Sequence, residues 1–164
     1  MDLGVVRALQ AQSFGEPGQR TFRLRAETEE GTVSLWLEKE QVVMLGTAVD
    51  EVLRRVPVGF GVHPESDVLR SFIGELEVKA GALTLSYDAD HAGFLLEAGD
   101  FASAFALTSI ALLASRQQLE SVGDEIREIV AAGRPRCPLC GTPLTGGAHF
   151  CPESNGHLEV ANQE

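Results

Sequence analysis

The chain has 164 residues, of which 44% are hydrophobic and 23% charged, with three cysteines and a net charge of −11. This length fits one domain with a core large enough to fold without disulfides, and the composition excludes a disordered or fibrous protein. The most apolar stretch, "FASAFALTSIALLAS", is too short and too broken by Ser and Thr to cross a membrane, and the acidic balance disfavours free nucleic acid.

The opening "MDLGVVRALQ" has an acid at position two and no basic n-region or cleavage site, so the expected location is the cytoplasm. Residues 5–13 read as a strand, followed by the Gly/Pro loop "FGEPGQ" and by "RTFRLRAE". In that second strand Phe22, Leu24 and Ala26 alternate with Thr21, Arg23 and Arg25, the period of a half-buried strand. After "TEEG", Val33, Leu35 and Leu37 face one way and Thr32, Ser34 and Trp36 the other, which makes a three-stranded antiparallel meander.

The period then lengthens. Val42, Leu45, Val49, Val52 and Val56 recur at three- and four-residue steps, predicting an amphipathic helix. Glu38 and Glu40 lie at its start and Arg54 and Arg55 at its end, both suiting the helix dipole, and Pro57 and Gly59 stop it. A second set of strands is expected at 72–80, 82–88, 93–98 and 101–113, joined at Gly81, "DADHAG" and "AGD". Ser115 opens a second helix with the capping-box pattern Ser-x-x-Gln. Leu119, Val122, Ile126, Ile129 and Val130 form its apolar stripe, and Gly133 and Pro135 end it.

Strands, helix, strands, helix is not a regular βαβ alternation, so a Rossmann-type parallel sheet is not expected. The fold class is α+β: a mainly antiparallel sheet of six or seven strands backed by two helices, residues 1–134. A C-terminal segment, 135–164, is expected to dock on this body as part of the same compact unit, because no flexible linker precedes Cys137.

All three cysteines lie in "CPLCGTPLTGGAHFC". Cys137 and Cys140 have knuckle spacing, with Pro and Gly supplying the bend, while His149 and Cys151 are one residue apart and share a side of an extended segment. These four make a tetrahedral donor set, and the mixture of sulfur and imidazole favours zinc over an iron–sulfur cluster. The competing reading is three free thiols or a thioredoxin-like dithiol, but that motif opens a helix after a strand. His157, six residues past Cys151, is an alternative fourth ligand that needs more loop ordering than His149. Four protein ligands leave a zinc ion no open position, so the expected role is structural. No Lys or Arg follows Cys137, whereas Glu153, Glu159 and Glu164 do, which argues against a phosphate-gripping knuckle.

The chain resembles a bacterial family of uncharacterised proteins, domain-of-unknown-function family 3090, through "GEPGQRTFRL", "SLWLEKEQV", "GALTLSYDADHAGFLLEA", "VAAGRPRCPLCGTPL" and "HFCPESNGH". The family's tail pattern places its metal-type residues on Cys137, Cys140, His149 and Cys151. It departs at Ala148, Glu153 and His157, where the family carries Gly, a basic residue and an aromatic. The family implies no activity that carries over.

Elsewhere the chemistry is thin. "SFGEPGQR" lacks the Lys-Ser/Thr of a phosphate loop and reads as a hairpin, and Asp88, Asp90 and His91 read as a turn without the calcium-loop pattern. His63 stands alone before Pro64. Trp36 shares the polar face of its strand, where Arg23 or Arg25 can stack on it, and either the metal segment or a protein partner is expected to cover it. The sequence therefore points to a non-catalytic cytoplasmic protein with structural Zn2+, acting by protein contact near Trp36. The alternative is an enzyme or small-ligand binder using the loops 14–20 and 57–70.

Overall fold

A computed structural model describes residues 2–57, 74–100, 109–133, 137–142, 144, 149–154 and 159–160. The body contains six strands and two helices: β1 (Asp2–Phe14), β2 (Thr21–Thr28), β3 (Gly31–Leu37), α1 (Lys39–Arg55), β4 (Gly74–Asp88), β5 (Gly93–Asp100), β6 (Ser109–Ala114) and α2 (Arg116–Ala131). The expected α+β architecture of a mostly antiparallel sheet with two helices is present, and the six strands close into a barrel in chain order.

The meander β1–β2–β3 is antiparallel, with Phe14 opposite Thr21 and Leu24 opposite Leu35. A β3–α1–β4 crossover then makes β4 parallel to β3, and the chain returns antiparallel through β5 and β6. Closure comes from a short parallel seam in which Asp2 faces Ala111 and Val5 faces Leu113. Where that seam ends, α2 takes over from β6. Gln118 Nε2 donates to the Val6 carbonyl (2.7 Å), and the Ala11 amide donates to Glu125 Oε2 (2.6 Å). Side chains on the helix thus satisfy strand groups that lack a neighbouring strand there.

The alternation read from the sequence sets the inward face. Phe22, Leu24, Ala26, Val33, Leu35 and Leu37 are buried, and so are Phe94, Leu96, Ala98, Ile110, Leu112 and Ala114 across the barrel. Val42, Leu45 and Val49 of α1 join Leu119, Val122 and Ile126 of α2 in the same cluster. Each such side chain contributes roughly 1.5–3 kcal/mol by leaving water. The helices approach closely at two glycines. A Cβ on Gly46 would stand 2.8 Å from Ile126 Cγ2, and one on Gly123 would stand 3.0 Å from Val49 Cγ1.

Ser115 and Gln118 form the expected capping box; Glu38, read from the sequence as a first-turn acid, is instead the N-cap of α1, boxed with Gln41. At the junction of the helices Arg116 donates to the carbonyls of Leu53 and Val56, which satisfies the end of α1. Its guanidinium also lies 5.7 Å from the Phe94 ring centroid.

Three expectations need correction. No turn interrupts the chain at Gly81: β4 is one strand of 15 residues with a register shift between Ala80 and Leu83. The extra residue there is a bulge, and the Gln41 amide holds it by donating to the carbonyls of Ala80 (3.0 Å) and Gly81 (2.6 Å). Likewise "AGD" continues β5 as far as Asp100, and the first part of the expected strand 101–113 lies outside the described residues. Finally, Val130 is 41% exposed, because it stands one step round the helix from the buried line through Leu119, Val122 and Ile126.

Candidate metal centre

The sequence Cys137-Pro138-Leu139-Cys140-Gly141-Thr142 folds back on itself. The Gly141 amide donates to the Cys137 carbonyl (2.9 Å) and the Cys137 amide to the Thr142 carbonyl (2.9 Å). Gly141 has φ +70°, a left-handed conformation that a side chain disfavours, and nothing lies within 4 Å of where its Cβ would be. This turn points both thiols the same way. His149 and Phe150 form the short strand β7 (His149–Phe150), which pairs antiparallel with β8 (Glu159–Val160), and one 3-10 turn, Pro152–Ser154, follows Cys151. The extended backbone through His149 brings its ring and the Cys151 sulfur to one side, as the spacing requires.

Four donor atoms then converge. Cys137 Sγ and Cys151 Sγ are 3.8 Å apart, Cys140 Sγ and His149 Nε2 are 3.3 Å apart, and all four donors lie within 4.8 Å of one another. Sulfurs placed ~2.3 Å from one ion at a tetrahedral angle stand ~3.8 Å apart, which is the separation of Cys137 and Cys151 here, and the group could hold a metal ion. Cys137 and Cys151 are buried, and Cys140 and His149 partly so. The three cysteines form with Leu144 a small core of their own, separate in membership from the barrel cluster.

The electrostatics suit metal binding. Thr142, through its hydroxyl and then its backbone, lowers the Cys140 thiol from its usual 9.0 to about 6; His149 and Cys137 add to this while burial opposes it. The thiolate is the form that ligates a metal. His149 Nδ1 is buried and has no hydrogen-bond partner among the described residues, so Nε2 is the nitrogen turned toward the sulfurs. Among the described residues this is the one group of three or more such side chains placed to hold a metal ion.

Spacing found the four donors but missed Thr142, whose hydroxyl lies 3.2 Å from Cys140 Sγ. Its place two residues after the second cysteine of a knuckle was the available signal. His157, the alternative ligand, lies outside the described residues.

The other candidates separate clearly. "SFGEPGQR" is the β1–β2 hairpin loop, with Gly15 and Gly18 both at φ +96° and a turn closed by the Gln19 amide on the Glu16 carbonyl. Arg20 Nη1 reaches the Ile129 carbonyl at 3.5 Å. His63 and almost all of the 57–70 loop lie outside the described residues. Asp88 ends β4 and holds the turn that follows, where a turn was read. Its carboxylate accepts the amides of Asp90 and His91 and contacts His91 Nδ1 at 2.7 Å. A groove of about 440 Å³ runs between β1 and α2, lined in part by Arg7, Gln10, Gln118, Ser121 and Glu125, and its lining includes no residue of the 14–20 loop.

A helix-backed six-stranded barrel that carries a Cys3His group able to hold a metal ion defines the class of protein. The family model described as "Protein of unknown function (DUF3090)" matches residues 2–151, which spans all four donors, and the chain belongs to that family. No curated protein matches the chain, and no solved structure does.

Proposed function

We propose that Cys137, Cys140, His149 and Cys151 hold a structural Zn2+ ion, and that the protein is non-catalytic and acts in the cytoplasm by contact with another protein. The observation that carries this reading is the convergence of four donors within 4.8 Å. Three thiolates and one imidazole complete a tetrahedral set, so an ion held there has no vacancy for substrate or reactive water. What the ion supplies is a cross-link. It ties the knuckle to the segment bearing His149 and Cys151, in a stretch too poor in apolar residues to hold itself together. The acidic balance of the chain favours a protein partner over nucleic acid.

Elemental analysis of untagged protein purified without added metal tests the site, and one zinc per chain is the expected result. Folded protein that is metal-free and takes up no zinc at micromolar levels would overturn the reading.

A further inference from the structure

We propose that the outer face of the meander around Arg23 is a docking site for an acidic segment of a partner protein, whose carboxylate seats on the guanidinium and whose apolar neighbour packs on Phe14 and Trp36. This deepens the protein-contact reading above and rests on it. The register builds the site from a row across the barrel wall: Gln12 is opposite Arg23, Arg23 opposite Trp36, and Trp36 opposite Lys79. All four side chains face outward, because their alternates Ala11, Phe22, Leu24, Leu35, Leu37 and Val78 belong to or pack against the core; on the same outer face Ser34 is itself fully buried.

Arg23 is held in place. Its Nε and Nη2 both donate to Gln12 Oε1, at 3.0 and 2.6 Å. Its Cζ lies 4.9 Å from the Phe14 ring centroid and 5.5 Å from that of Trp36, and the two rings are 6.0 Å apart at 52°. The partners of this cation are thus a neutral amide and two ring faces. Neighbouring cations are paired differently, Arg25 with Glu27 and Lys79 with Glu38. In a chain with 24 acidic and 13 basic residues, Arg23 forms no ion pair among the described residues.

Gln12 occupies one edge of the guanidinium and leaves the edge bearing Nη1 open, with the fork geometry that a carboxylate matches with two bonds. The side chain is already ordered, so little freedom is lost on binding. Beside it Phe14 remains 42% exposed and Trp36 half-buried, which gives an apolar shelf next to the charge. The surroundings restrict the occupant. The outward rows on one side carry Glu77, beside Arg25, and then Glu27 and Glu75, so a nucleic-acid strand with a phosphate at every step laid in that direction would meet carboxylates, whereas a single acidic side chain need meet only Arg23.

The chain has one tryptophan, so its fluorescence reports on this face alone. The probes are a blocked synthetic peptide with one aspartate between two leucines, the same peptide with asparagine, and an oligothymidylate, each titrated into full-length protein of measured zinc content. The expected result is saturable quenching by the aspartate peptide, weakened at least about tenfold by asparagine in the peptide or by Arg23→Gln in the protein. No response up to about 10 mM peptide, equal responses to both peptides, or tighter binding of the oligonucleotide would overturn the proposal. If Arg23→Gln fails to fold, the comparison of the two peptides on the wild type still decides. Folded protein that takes up no zinc yet binds the peptide would contradict the metal reading and leave the docking face standing; zinc-loaded protein that ignores the peptide does the reverse.

Discussion

Arg116 illustrates how one residue can join two elements. A cation at the first position of a helix opposes the dipole, yet here the guanidinium satisfies the carbonyls of Leu53 and Val56 at the end of the other helix. Replacing it with leucine leaves those acceptors without their charged donor. Arg116→Leu is expected to cost about 2–3 kcal/mol, read as a lower urea midpoint with an unchanged slope. Asp88 gives a pH signature. Its carboxylate titrates below its usual 3.8, chiefly because of the hydrogen bond with the His91 side chain and then that with the His91 amide. A depressed carboxylate stabilises the folded state above its unfolded value and loses that contribution as pH falls through the lower folded one. The protection of the Asp90 and His91 amides, relative to intrinsic exchange at the same pH, should therefore fall below about pH 4, and Asp88→Asn should remove that loss. At the residue scale the clustering of Cys137, Cys140, His149 and Cys151 was legible, because C-x2-C and H-x-C spacing carries its geometry within a few bonds. Arg116 was not legible, since its acceptors lie about sixty positions earlier in the chain.

The elements were legible wherever periodicity was unbroken. The meander, both amphipathic helices and the Ser115 capping box follow from alternation, three-and-four spacing and a cap pattern that are local in the chain. The misreading at Gly81 has a physical cause. A glycine that breaks alternation signals either a turn or a bulge, and what decides between them here is Gln41 on α1, a residue forty positions away holding the two bulge carbonyls. The same side chain accepts from the Glu38 amide at 2.7 Å. Gln41→Leu thus removes a cap and the partner of the bulge together. The expected loss is about 1–3 kcal/mol with the fold retained, measured by thermal melting and far-ultraviolet circular dichroism.

At the scale of the molecule, the described residues assemble two cores on different principles. The barrel and helices share one large apolar cluster, while Cys137, Leu144 and Cys151 form a separate small one whose side chains are mostly metal-ligand types. Cys137→Ser should abolish zinc binding and raise hydrogen exchange in residues 137–151 well before the barrel strands lose protection, as checked by mass spectrometry. Uniform loss of protection along the chain would instead make the knuckle part of the body's cooperative unit. Barrel closure is the feature of this scale that the sequence concealed. Strand count and alternation are the same in an open and a closed sheet, and the seam depends on pairings between residues more than a hundred positions apart.

That seam has a consequence for how the chain is made. Val5 finds Leu113 only after β6 has been made, so β1, the first of these six strands in chain order, is among the last of them to be sealed on both sides. Until then its raw margin is open to any passing extended segment, and the newborn protein is vulnerable to sticky encounters along β1 until β6 covers it.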